Sequence, residues 1–406
     1  MKKLLEISLG VVTSIGGFLE AGSLSTAVQA GSSYRYSLIW AIVLGVVCLA
    51  FLIEMAGRFS AVSNHTIADA IRERFGFNAF LAPFLIVLLV NFLVLTAEIG
   101  GVAVALQFAT GISYAVWALP AAFAVWLLLW KGTFAIIEKG VSMLGLITLC
   151  FVVAAIMLHP PWREVARELP PQLDPYNPAQ YWFIAVSILG ASISPYLFFF
   201  YSSGAVEDKW DKSYIGINRA IAAFGISFGG IVAIAALIVA AQVFLPRGMT
   251  QIESFDEIAI ILTPIFGFWG FVLFCASLGI ACFGAALELA LCQGYLVAQG
   301  FGWQWGQDLP PKSDPGFSLS YTAFIFLAGL LIAIGIDPLK LTIFSMALTA
   351  LTLPLGVVPF LFLMNDERYV GDYRNGWISN AAVIFIIGLG FILALVTLPL
   401  QIFGGT

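Results

Sequence analysis

Runs of some twenty apolar residues follow one another from end to end of this 406-residue chain. Each is long enough to cross the ~30 Å hydrocarbon layer of a bilayer as a helix. No water reaches that depth, so every backbone N–H and C=O must be satisfied within the protein, and helices meet that demand for separate runs of this length. Composition agrees: 61% of the residues are hydrophobic and only 10% charged, against roughly 25% charged in a soluble domain. The chain reads as an all-α polytopic membrane protein whose first partner is the lipid bilayer. Nothing in it suggests nucleic-acid binding.

Eleven spans are expected, near 7–30, 37–57, 80–109, 113–130, 141–158, 180–203, 219–245, 265–299, 318–336, 341–363 and 377–401. The breaks "GRFSAVSNHT", "HPPWREVARELPPQLDPYNP", "PRGMTQIESFDE", "GWQWGQDLPPKSDPG" and "NDERYVGDYRNG" are rich in Pro, Gly, Asn and charge, as loops are. The start, "MKKLLEISLGVV", has signal-peptide features, but Glu6 interrupts it and no small-x-small site follows, so it reads as the uncleaved entry to span 1. With the N-terminus inside, the inner segments hold Lys2, Lys3, Arg58, Arg72, Arg74, Lys131, Lys139, Lys209, Lys212, Arg219, Lys312, Arg368 and Arg374. The outer ones hold only Arg35, Arg163, Arg167, Arg247 and Lys340. That bias predicts a cytoplasmic N-terminus and an outer C-terminus in a plasma (inner) membrane. No loop is long enough to fold alone, which makes residues 1–406 one transmembrane domain. A monomer is expected.

Two spans are interrupted. Span 1 carries Glu20-Ala21-Gly22-Ser23 near its middle. Span 6 carries "GASISPYLFFFYSS", in which Pro195 removes a backbone donor. First and sixth spans correspond in a five-plus-five arrangement, with 1–158 and 180–363 as the two repeats and 377–401 as an extra helix. Paired interruptions of this kind point to a substrate site at the bilayer midplane.

The carboxylates within spans are Glu20, Glu54, Glu98 and Glu288. Each costs at least ~2.5 kcal/mol at a helix centre on insertion scales, so each needs a partner or a purpose. Glu20 sits in the first break, where an unwound backbone at Ala21-Gly22 would free carbonyls and Ser23 adds a hydroxyl. Such an oxygen set suits hard ions and first-row dications. Glu98 stands beside Gly100-Gly101, which would let another helix approach, and is a candidate for proton relay or site support. Glu288 lies about 9 Å toward the inner side of the middle of span 8, by helical rise, on a candidate inward pathway. Glu54 is four residues before Arg58, and an ion pair along the helix explains it. His65 and His159 have no ligand spacing around them. The five cysteines, Cys48, Cys150, Cys275, Cys282 and Cys292, lie in apolar runs without metal-type spacing, and no disulfide is expected. There is no metalloprotease HExxH, nucleophile elbow or phosphate loop, so no enzyme activity or resident cofactor is expected.

Several segments together resemble the natural resistance-associated macrophage protein (Nramp) family of divalent-metal transporters. "EAGSLSTAVQAGSSYRYSLIW" is similar to the family's helix-1 stretch, with its Asp-Pro-Gly-Asn motif and trailing Gln-Ala-Gly. "GRFSAVSNHTIADAIRERFG" resembles the end of helix 2 and "TAEIGGVAVALQFATGI" resembles helix 3. "LGASISPYLFFFYSS" is similar to the helix-6 Met-Pro-His region, and "TLPLGVVPFLFLMNDERYVGDYRNG" to helix 10 and its loop. The resemblance implies a leucine-transporter-like 5+5 inverted repeat plus one extra helix, with helices 1 and 6 discontinuous. It also implies ion binding between those two helices.

This chain departs from the family at the motif positions. Glu20 stands for the metal-binding Asp, Ala21 for Pro and Ser23 for Asn. Ser194 and Tyr196 replace Met and His around the retained Pro195. The helix-3 aspartate linked to proton movement is Leu95, and the helix-10 glutamine is Thr352. The resemblance therefore implies a metal site of Glu20, Ala21, Ser23, Ser194, Tyr196 and Thr352, with Glu98 and Glu288 on a proton or ion pathway. Thioether sulfur favours softer metals, so its loss is expected to admit hard dications such as Mg²⁺ alongside Mn²⁺ and Fe²⁺. Loss of the aspartate is expected to weaken or abolish proton coupling. A Na⁺-coupled symporter of an organic solute, or a channel or sensor sharing the site, are the other readings. Glu20 speaks against an anionic solute.

Overall fold

The computed structural model describes residues 20–132, 145–172 and 177–403, which form helices joined by short turns with no strand among them. In chain order the main helices are α1 (Ala21–Tyr34), α2 (Ile39–Ser63), α3 (Ile67–Phe75), α4 (Phe77–Thr110), α5 (Tyr114–Lys131), α6 (Leu149–Met157), α7 (Trp162–Glu168), α8 (Pro178–Ser192), α9 (Pro195–Glu207), α10 (Ile226–Val243), α11 (Phe268–Phe301), α12 (Pro315–Ala333), α13 (Pro338–Leu363) and α14 (Trp377–Phe403). Among the described residues, nine helical stretches are long and apolar enough to cross a membrane. A tenth arises if Leu146–Met157 and Trp162–Glu168, bent by 108°, are one span. These ten match expected spans 2 to 11. Span 1 is described only from Glu20, and its first part, 7–19, lies outside the described residues, as do 141–144 of span 5.

Helices α1, α8, α9 and α13 meet in the interior, with α4 and α11 packed beside them. The span Pro178–Glu207 is the most buried of the nine, so the broken sixth span lies in protein rather than in lipid. Its break is local. Helix α8 ends at Ser192, Ile193 takes φ −115° and ψ 48°, Ser194 is extended, and Pro195 opens α9. Proline has no N–H to lose at the first helical position and pushes the residue before it toward extended backbone.

Loops from alternate breaks meet at opposite ends of the bundle. At one end Arg35 pairs with Glu164 at 2.5 Å and with Glu168 at 3.2 Å, and Ser33 donates to the Thr250 carbonyl at 2.6 Å. At the other end Arg58 reaches the Tyr373 carbonyl at 2.5 Å and Asn375 at 2.9 Å. Glu207 also meets Gln307 there.

Four stretches expected as loops are partly helical, among them "PRGMTQIESFDE", which Phe255–Ile258 closes with a helical turn. The "GRFSAVSNHT" break is helical through Ser63, and α3 follows it, with the Thr66 hydroxyl accepting the Asp69 N–H at 3.2 Å. Helix α7 occupies the long Pro-rich break, and Glu367–Val370 forms one turn in another. Their few turns contain charge, so a search for long apolar runs passes over them. A further irregularity precedes α10, where Ile215–Ala220 runs through a π-helical turn, Ile221–Gly225, before the α-helix resumes.

Candidate metal centre

Glu20 is the extended residue that precedes α1, with φ −121° and ψ 172°. Its N–H donates to Ser23 Oγ at 3.1 Å, and the same hydroxyl lies 3.1 Å from the Glu20 carbonyl. The side chain is 1% exposed. Its Oε2 accepts the Tyr196 hydroxyl at 3.2 Å, while Oε1 is buried with no hydrogen-bond partner. Tyr196 comes from the first turn of α9, so one hydrogen bond joins the start of α1 to the start of α9.

The backbone expected to be unwound at Ala21-Gly22 is helical, and only Glu20 among the described residues there is extended. Ala21 and Gly22 are already helical, and their carbonyls run down α1, where the Thr26 hydroxyl donates to the Gly22 carbonyl at 2.7 Å. What the break exposes is N–H groups. Both oxygens of Glu98, on α4, accept the Ala21 N–H at 3.1 Å. A carboxylate on the first turn of a helix is stabilised by orphan donors and by the positive end of the helix dipole. Glu98 thus joins span 3 to the end of α1. The expected close approach at Gly100-Gly101 is present. A Cβ on Gly101 would come within 2.4 Å of Cys282 Sγ on α11, and one on Gly100 within 2.8 Å of Pro338.

Ser194 immediately precedes α9, and its hydroxyl is buried without a partner. Two buried polar atoms at the breaks therefore stand unmatched, Glu20 Oε1 and Ser194 Oγ. Thr352, on α13, is buried and donates to the Thr349 carbonyl at 2.9 Å. Glu288, on α11, is 9% exposed, and its carboxylate is near enough to act on both Glu20 and Tyr196. No lysine, arginine or histidine forms an ion pair with Glu20 or Glu98 among the described residues. Isolated charges in a low-dielectric interior cost several kcal/mol each, so this cluster favours an added cation or bound protons. The described residues contain no group of three or more His, Cys, Asp or Glu able to hold a metal. A cation here would depend on hydroxyl or backbone oxygens as well as carboxylate.

Sulfur is closer than the motif comparison implies. Cys282 contacts the Glu98 carboxylate with its thiol, and Cys292 donates to the Tyr196 carbonyl at 3.6 Å. Met346, on α13, packs on Gly22, where an added Cβ would lie 2.5 Å from its Sδ. Cys282 and Cys292 are ten residues apart, about 80° from each other around the helix at ~100° per residue. Neither that spacing nor Met346 offered a readable signal. All five cysteines are free.

Compared with known proteins, residues 10–399 match the model of a family described as natural resistance-associated macrophage protein-like. The divalent metal cation transporter MntH 1 of Pseudomonas aeruginosa is 25% identical, over 94% of this chain and 88% of that protein. The solved structure of the Eremococcus coleocola manganese transporter superposes with a TM-score of 0.79 at 20% identity, covering 100% of this chain and 89% of that one. Mhp1, a nucleobase-cation-symport-1 family transporter solved with bromovinylhydantoin bound, gives 0.62 at 15% identity, over 98% and 91%. These structural likenesses speak to fold, and the fold is the leucine-transporter-like one expected.

Proposed function

Because the chain belongs to the natural resistance-associated macrophage protein family, we propose that it is a secondary transporter that moves divalent metal cations across the membrane by alternating access, with Glu20 as the essential ligand. Members of the family are multi-pass membrane transporters, not enzymes. The relatives named above as divalent metal cation and manganese transporters support the substrate class. The observation that carries the reading is the buried Glu20 carboxylate at the start of α1, bonded to Tyr196 at the start of α9, with one oxygen unpartnered and no ion pair to a cationic side chain among the described residues.

Of the expected ligands Glu20, Ala21, Ser23, Ser194, Tyr196 and Thr352, the unmatched oxygens favour Glu20 and Ser194 as direct ligands. Tyr196 holds the carboxylate in place, Ser23 holds the Glu20 backbone, and Ala21 supplies the N–H that seats Glu98. Thr352 is tied back to its own helix and would have to turn to contribute. Glu98 and Glu288 line the approach. The unit is one domain, with repeats over 1–158 and 180–363 and an added span at 377–401. It acts as a monomer in the plasma membrane with its N-terminus inside. The symporter reading has no observation of its own, since the likeness to Mhp1 at 15% identity concerns fold alone.

Glu20→Gln tests the proposal. The amide keeps the size but loses the charge that compensates a dehydrated dication. Mn²⁺ affinity by calorimetry is expected to fall at least about tenfold, while gel filtration and thermal unfolding of the purified protein stay as in the wild type. Unchanged affinity would move the site away from Glu20.

A further inference from the structure

A second pair of carboxylates lies at the opposite end of α9, on the consecutive backbone N–H groups of Gly306 and Gln307. Glu207 ends α9, Asp314 precedes α12, and the connection from α11 to α12 threads Gly306-Gln307 between them. The Gln307 N–H donates to Glu207 Oε1 at 2.7 Å, and the Gly306 N–H bonds to the Asp314 carboxylate. The Ser318 hydroxyl donates to Asp314 Oδ1 at 3.0 Å. Each carboxylate is thereby anchored by one oxygen. The other oxygens, Glu207 Oε2 and Asp314 Oδ2, are buried with no partner.

A third unmatched buried oxygen lies near Glu207. Tyr295, on α11, is 1% exposed and its hydroxyl also lacks a partner. It lies within electrostatic range of Glu207, Asp208 and Asp308. Its ring is fixed against Trp305 and Phe317, with centroids 5.3 and 5.0 Å away, so the hydroxyl cannot swing out to find water. Asp314 is 1% exposed as well, and burial raises its carboxyl above the ordinary range. No lysine or arginine pairs with Glu207 or Asp314 among the described residues. Two anchored carboxylates and a phenol, each with an unmatched buried oxygen, thus have no cationic partner among the described residues.

We propose that Glu207, Asp314 and the Tyr295 hydroxyl form a second cation site, distinct from that of the transported metal, which takes a hard divalent ion of the Mg²⁺ class. All the donors are oxygen. Mg²⁺ is commonly held through one or two carboxylates while keeping several waters, so no third acidic ligand is required. The site also sits at the C-terminal, negative end of the α9 dipole. Tyr196 and Ser194 stand at the other end, about 16 and about 20 Å away by helical rise over the intervening residues. Occupancy would fasten the lower end of α9 to the α11–α12 connection, coupling ion binding there to the mobility of the broken sixth span.

Mn²⁺ serves as the probe, counted by electron paramagnetic resonance on the full chain in detergent at neutral pH. The wild type is expected to bind two ions per chain. Glu20→Gln should keep one, which Mg²⁺ displaces, and Asp314→Asn should keep the other. Tyr295→Phe, placed in the Glu20→Gln background, should weaken the one remaining ion several-fold, while Tyr295→Phe alone leaves the ion at Glu20 intact. If Asp314→Asn does not fold, Glu207→Gln decides in its place. A single ion in the wild type would overturn the site, since the two carboxylates would then share a proton. Two ions in a folded Asp314→Asn or Glu207→Gln variant would overturn it as well. Should Glu20→Gln instead retain both ions, the substrate-site reading fails and this one stands.

Discussion

Gly22 shows how tightly the first break is fitted. Met346 fills the space a side chain would need, with Sδ, Cε and Cγ all within 2.7 Å of an added Cβ. Overpacking a filled interior typically costs ~1–3 kcal/mol. Gly22→Ala should therefore lower the unfolding temperature and reduce Mn²⁺ uptake, and adding Met346→Ala should restore much of both. Uptake by the single variant equal to that of the wild type would show that α1 and α13 have slack there. Glu20 itself was legible in the sequence, because an acid beside small residues in mid-membrane is costly enough to need a purpose. Its setting was not. The hydrogen bond to Tyr196 and the seat of Glu98 on Ala21 join residues 176 and 77 positions apart, and nothing local encodes them.

Among the elements, α2 shows the same division. The Glu54–Arg58 pair follows from spacing alone and is present at 3.0 Å. What the spacing does not reveal is that the pair is a hub. The guanidinium also reaches Tyr373 and Asn375 before α14, Glu54 meets Arg219 at 3.3 Å, and Asn218 ties the Glu54 carbonyl to Tyr201 of α9. The Arg58 side chain is 6% exposed and that of Arg219 is 65% exposed. Removing one partner of a buried pair costs ~3–5 kcal/mol, whereas an exposed pair is worth ~0–1 kcal/mol. Arg58→Ala is thus expected to destabilise the protein by about 3 kcal/mol, the low end of that range, because Glu54 keeps Arg219. Arg219→Ala should change stability by under about 1 kcal/mol. Equal losses from the two, in denaturant titrations of the purified protein, would mean that the hub carries no load. Helices α3 and α7 went unread because they are short and lie at the bundle's ends, where tertiary contacts rather than a long apolar run hold them.

For the whole molecule, the expectation concerns what moves with the metal. The two unmatched atoms at the breaks are oxygens, and Leu95 offers no proton carrier on the third span. Proteoliposomes are therefore expected to take up Mn²⁺ with little accompanying acidification, and millimolar-scale Mg²⁺ should compete. Ser194→Met should shift preference toward Mn²⁺ and Cd²⁺ by placing a thioether at the second break. Strong acidification on Mn²⁺ addition, with no competition from Mg²⁺, would contradict both halves, and Glu98 and Glu288 would then be the groups to examine. The span count was readable because each crossing of the hydrocarbon demands its own apolar run. The π-helical turn at Ile221–Gly225 was not, and it bears on how such a chain diversifies. A turn of that kind accommodates an additional residue within an otherwise α-helical rod, and one residue corresponds to ~100° of rotation. The segment holding Asn218 and the segment facing α1 are therefore out of phase with a single helical wheel. A one-residue deletion between 221 and 225 would bring them back into phase, turning either the Asn218 contact or the α1-facing surface away from its neighbour. A one-residue deletion at this point inside the membrane is expected to cost more stability than one in an exposed loop.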